Sequence, residues 1–163
     1  MKNKRRLLGS TGLVVVFLMI VFLITPNFVL SLITADINLE GENFNGIHLN
    51  ENISKLNPDS ISKDTLNPNF YYLSNGVRVI TDENKNIKNI AITHDTDINI
   101  KTSRGISVGA PLENVIESYG EDYYKRREQG VEIMVYVDKN KFLEFWYWDH
   151  EVQEIRLGYN RIN

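Results

Sequence analysis

The chain has 163 residues, 42% hydrophobic and 24% charged, enough for one compact domain or two very small ones and too short for a large two-lobed enzyme. It contains no cysteine, which excludes disulfides, Cys-ligated zinc, thiol catalysis and lipidation at a bacterial lipobox. The formal charge of −3 hides an asymmetry, because residues 1–35 hold only basic side chains while residues 36–163 carry 14 of the 18 basic and all 21 acidic ones. An acidic domain repels phosphate backbones, whose binding depends on Lys and Arg displacing counterions, so nucleic acid is not an expected partner.

Lys2, Lys4, Arg5 and Arg6 form a basic flank, followed by the uncharged run 13–33. As a helix this run would extend about 31 Å, enough to cross a bilayer. Positive-inside bias then puts the basic end in the cytoplasm and everything after Asp36 outside. The expectation is a signal anchor over residues 1–35 and a single-pass cell-membrane protein with an extracytoplasmic C-terminal domain. The rival reading is a signal peptide cleaved after Ala35, which would make the domain secreted. An exported domain without cysteine, rich in Asn and Ile, points to a bacterium.

Beyond the anchor the chain reads as two similar α+β units in tandem, 36–97 and 98–163. Asn45-Gly46-Ile47-His48-Leu49 matches Arg104-Gly105-Ile106-Ser107-Val108, Phe70-Tyr71-Tyr72 echoes Tyr123-Tyr124, and residues 86–92 echo 151–157 in the same order. In the first unit Ile53 and Leu56 suit a short helical turn, Asn57-Pro58 a stop, and 60–66 a second helix. Strands are expected over 70–73, 77–81 and 87–92, with 93–102 as connector.

The second unit is clearer. Pro111 suits the first helical position, Leu112, Val115, Ile116 and Tyr119 recur at helical spacing, and Gly120 supplies the stop. Val131, Ile133, Val135 and Val137 alternate with Glu132, Met134 and Tyr136, which predicts a strand. Asp138-Lys139-Asn140 is turn chemistry, and strands over 142–148 and 152–157 complete a meander. The expected fold is therefore α+β, two small units of helix plus three-stranded antiparallel meander after an N-terminal transmembrane helix.

Gly105-Ile106-Ser107-Val108-Gly109, followed by Leu112, Val115 and Tyr119-Gly120, resembles the opening of the SmpA/OmlA-like domain of outer-membrane assembly lipoproteins. A tandem pair of such units resembles the β-lactamase inhibitor protein family. This chain has Asp122 where the first family often has proline. The resemblance implies an extracytoplasmic protein-binding domain without catalysis, and it carries over no particular partner.

Both tryptophans lie in Phe142-Leu143-Glu144-Phe145-Trp146-Tyr147-Trp148, a strand apolar on both faces. Grouping the Val/Ile set of 131–137 with Leu143, Phe145, Ile155 and Leu157 as core leaves Met134, Tyr136, Phe142, Trp146, Trp148 and Arg156 as the candidate binding residues. Exposed aromatics with Met and Arg have the composition of interface hot spots. The same face could instead pack between the two halves or in a homo-oligomer.

Thr93-His94-Asp95-Thr96-Asp97 offers one imidazole and two carboxylates but no second pair at ligand spacing, and reads as solvated linker. His48 and His150 lack a definable catalytic partner. Glu113 and Glu117 lie on a solvated helix face. No catalytic residue, metal ligand or cofactor is expected. The leading expectation is a membrane-tethered extracytoplasmic binding or regulatory domain engaging another protein. The alternatives are a cell-wall or carbohydrate-acting enzyme or binding module built on Glu144 and the tryptophans, and a structural spacer or oligomerisation unit.

Overall fold

The computed structural model describes residues 33–159 together with Leu30. Residues 35–159 belong to one compact unit. Its strands are β1 (Asn43–Phe44), β2 (Ile47–His48), β3 (Ile61–Lys63), β4 (Phe70–Leu73), β5 (Arg78–Thr81), β6 (Ile87–Thr93), β7 (Tyr124–Glu128), β8 (Val131–Asp138), β9 (Lys141–Trp148) and β10 (Glu151–Tyr159). The α-helix of this unit is α1 (Leu112–Tyr119), and two 3-10 turns lie at Ile53–Lys55 and Pro58–Ser60.

β1 and β2 form a hairpin, and the other eight strands make one sheet in the order β3-β4-β5-β6-β10-β9-β8-β7, every neighbour antiparallel. Two four-stranded meanders thus meet through their last strands. Ala91 stands opposite Arg156 at this seam, with Ile92 opposite Ile155 and Ile90 opposite Leu157. The stretches 86–92 and 151–157, which echo each other in sequence, are the two strands that pair. Gly46 and Gly105, also matched in sequence, both sit in turns with φ near the left-handed region, +84° and +86°, which a Cβ would oppose.

The expected α+β fold of two helix-plus-three-strand units is corrected by this topology. The domain is mainly β, and each half of the sheet contributes four strands. The first half contains no α-helix: where 60–66 suggested one, Asn52 and Asn57 cap 3-10 turns by accepting from the backbone N–H of Ser54 and Asp59, and the chain then enters β3. Asn, Asp, Ser and Pro compete with the helical backbone instead of propagating it. The missed strands β3 and β7 are the two sheet edges. In β7, Tyr124-Lys125-Arg126-Arg127-Glu128 lacks the apolar alternation by which a strand is recognised.

The transmembrane helix, the signal anchor and the single-pass membrane localisation are likewise corrected: among the described residues no helix is long and apolar enough to cross a membrane. The run 13–33 on which that reading rested lies outside the described residues except for Leu30 and Ile33.

The inner face of the sheet carries the main core. Tyr71, Val79, Ile90, Ile92, Met134, Tyr136, Leu143, Phe145, Tyr147, Ile155 and Leu157 pack there against Phe44 and Ile47 of the hairpin, Ile53, the loop residues Ile100 and Ile106, and Leu112, Val115 and Tyr119 of α1. Spacing of i, i+3 and i+7 puts the three α1 side chains on one stripe. Tyr119, Tyr136 and Phe145 form an aromatic triangle with ring centroids 5.3 to 6.0 Å apart. Arg104 stacks on Tyr119 with its Cζ 4.5 Å from the ring centroid. Its guanidinium also donates to Ser118 O at 3.0 Å and Asn38 O at 2.6 Å, so it ties the segment before β1 to the C-terminal turn of α1, where carbonyls favour a cation.

Candidate functional site

Register fixes what lies on the outer face. One row runs Tyr72, Arg78, Ala91, Arg156, Glu144, Val135, Tyr124 from β4 to β7. A second runs Thr93, Glu154, Trp146, Ile133, Arg126, and a third Phe70, Ile80, Asn89, Gly158, Phe142, Val137. The two-residue loop at Lys139-Asn140, which puts Asp138 opposite Lys141, sets the register of β8 against β9.

The candidate binding set therefore separates. Phe142, Trp146, Trp148 and Arg156 share the outer face, whereas Met134 and Tyr136 point the other way into the main core, both fully buried. Tyr136 donates its hydroxyl proton to Gly120 O at 2.8 Å, and burial raises its pKa. The Val/Ile set of β8 changes places with them: Ile133, Val135 and Val137 are on the outer face, opposite Trp146, Glu144 and Phe142. They form a small second cluster with Trp146, and Tyr124, Val131 and Phe142 pack against it. Strands β8 and β9 are apolar on both sides, so alternation alone could not tell which side faces the helix.

Trp146 is the centre of the outer face. Arg156 approaches its ring from the β10 side, Cζ 3.9 Å from the centroid, and Arg126 from the β7 side at 5.5 Å. The indole Nε1 donates to Glu144 Oε2 at 3.0 Å, and the other oxygen of Glu144 accepts from Arg126 Nη2 at 2.8 Å. Arg126 also pairs with Glu128, and Arg156 Nε donates to Glu154 Oε1 at 2.6 Å. Burial works against the charge on Arg126, but its bonds to Glu128 and Glu144 prevail and raise its pKa. The Tyr124 hydroxyl is also raised, first by burial and then by the neighbouring Glu144 charge. Both oxygens of the Glu144 carboxylate are thus engaged, one by an indole N–H and the other by a guanidinium, which fixes its orientation on the sheet.

Around this lattice the outer face is partly bare. Trp148 is 63% and Tyr72 42% exposed. Gly158 lies flat beneath Phe142: a Cβ there would come within 2.7 Å of the phenyl Cζ and 2.6 Å of Asn89 Nδ2, so only glycine lets the ring lie across β10. Beside Trp148, the Asp149-His150 turn has φ of +48° and +64°, the two-residue hairpin geometry usually filled by Asn-Gly. His150 is exposed there, and its carbonyl accepts from Leu112 N at 2.9 Å, which fixes the start of α1. Sequence reasoning named Glu144 but missed Arg126 and Arg78, because the first lies in an edge strand without apolar alternation and the second in a four-residue strand whose outward side gives no sign of its partners.

Elsewhere, His94 Nε2 lies 3.3 Å from Asp95 Oδ1, both side chains exposed, and among the described residues no group of three His, Cys, Asp or Glu could hold a metal ion. Glu113 and Glu117 are exposed on α1, and His48 is exposed at the end of β2. No family model matches the chain, and neither a curated protein nor a solved structure is significantly similar to it.

Proposed function

We propose that this chain is a non-catalytic protein-binding domain that engages its partner through the outer face of the eight-stranded sheet. The observation that carries this reading is the arrangement around Trp146: guanidinium and indole groups locked together by charge-assisted bonds, with Trp148 left exposed on the same strand and Tyr72 exposed farther along the same face on β4. Tryptophan, tyrosine and arginine dominate binding energy at interfaces, and a rigid presentation lowers the entropy lost on association.

A sugar platform fits less well. Of the two tryptophans only Trp148, 63% exposed, has a free ring to stack on a pyranose; the Trp146 ring, beside Glu144, is crowded by Arg156 and Arg126 and only 8% exposed. Capture experiments with the full chain as bait, from cells that produce it, test the proposal. Trp148→Ala should weaken capture of the partner by about 2 kcal/mol, roughly 30-fold, with unchanged far-UV circular dichroism. An identical set of captured proteins for both baits would sink the idea.

A further inference from the structure

We infer that Arg78 is a docking point for a carboxylate, so that the partner protein presents an aspartate or glutamate side chain to the outer face at β5. This rests on the reading of that face as a binding surface and adds the chemistry the partner must bring. Three arginines stand on the outer face, and two of them, Arg126 and Arg156, are ion-paired within the chain. Among the described residues Arg78 has no carboxylate within 4.0 Å. Of the five N–H donors of its guanidinium, one bond is made, from Nη2 to Thr93 Oγ1 at 3.0 Å.

That bond aims the group. Thr93 is only 3% exposed and is braced by Thr96, whose hydroxyl accepts from Thr93 N at 3.0 Å and donates to Gly76 O at 3.2 Å. The guanidinium is thus anchored at one nitrogen with the rest of its fork unspent. The adjoining row position is Ala91, so that a methyl group stands between Arg78 and Arg156. Tyr72, exposed on the other side, supplies an aromatic wall. A half-buried cation with a small floor, an aromatic side and unused paired donors matches a planar carboxylate, which an arginine fork binds through two parallel bonds. The domain as a whole is acidic, so a cation kept free of its own carboxylates on β5 gives an acidic partner side chain a defined place to dock.

The test uses the full chain panned against a phage-displayed library of random peptides, with the selected peptides then titrated by fluorescence anisotropy. Enrichment of Asp or Glu is expected, with loss of about tenfold or more in affinity for Arg78→Gln, the size of one charge-assisted hydrogen bond. Arg78→Lys should retain part of the affinity, and Lys55→Gln, an exposed cation outside this sheet, all of it. Peptides without an acidic residue, an empty selection, or equal binding to Arg78→Gln would overturn the inference. Peptides that depend on Trp148 but not on Arg78 would overturn it while leaving the binding face standing, whereas indifference to both substitutions would remove both.

Discussion

The two faces of the sheet solve the same packing problem with different chemistry. On the inner face, hydrocarbon meets hydrocarbon: the hairpin, loops and α1 bring Phe44, Ile106, Leu112 and Val115 down onto the sheet. On the outer face, β7, β8 and β9 alone supply the second cluster, and its largest ring is flanked by ion-paired arginines. Inner-face stability comes from apolar area removed from water, which is insensitive to the identity of a partner. Outer-face order comes from directional bonds, which fix groups in place while keeping polar atoms near the surface, as a recognition surface requires.

The strongest way to break this contrast is to cut into the inner face. Phe145→Ala removes a ring with no exposure, packed between Tyr119 and Tyr136, and should cost about 3–5 kcal/mol in urea unfolding. A loss under about 1 kcal/mol would mean that the aromatic triangle is not the core. A double-mutant cycle of Glu144→Gln with Arg126→Gln sharpens the outer-face side. Each single substitution leaves a half-buried partner unsatisfied, and the coupling should be about 1–3 kcal/mol, fading little with salt. A coupling near zero would reduce the lattice to a surface ion pair.

The smallest effect lies away from both faces. The backbone N–H of Asn86 and, secondarily, Lys88 hold the Asp82 carboxyl below its ordinary value of 3.8. A depressed acid stabilises the fold above its unfolded pKa and loses that contribution as pH falls through the folded value. Stability should therefore drop below about pH 4, and Asp82→Asn should flatten part of that acid limb. An unchanged limb in the variant would show that the β5–β6 turn does not depend on this charge.

Much of the strand pattern was legible in the sequence, because β4, β6, β8, β9 and β10 alternate or run apolar and are punctuated by turn residues such as Asp138-Lys139 and Asp149. Helix α1 was legible from Leu112, Val115 and Tyr119 and the Gly120 stop. The outer face was legible in part. Phe142, Trp146, Trp148 and Arg156 share it, but Met134 and Tyr136 do not, since a strand apolar on both sides gives no sign of which side meets the helix. Arg126 and Arg78 meet their partners two strands and one strand away, and local pattern does not say which side chain of a charged edge strand or of a short strand will reach across the sheet. The first-half helix failed for a local reason, since Asn52 and Asn57 favour capping over propagation.

The meeting of two meanders at their last strands has a consequence at the opposite ends of the sheet. Both borders are opening strands of a meander: β3, three residues long with Ser62 and Lys63 exposed, and β7, which bears Lys125, Arg126, Arg127 and Glu128. A short border and a heavily charged one are poor templates for another chain's backbone. An eight-stranded sheet built this way ends itself on both sides, and copies of it can crowd together without zipping edge to edge into fibrils.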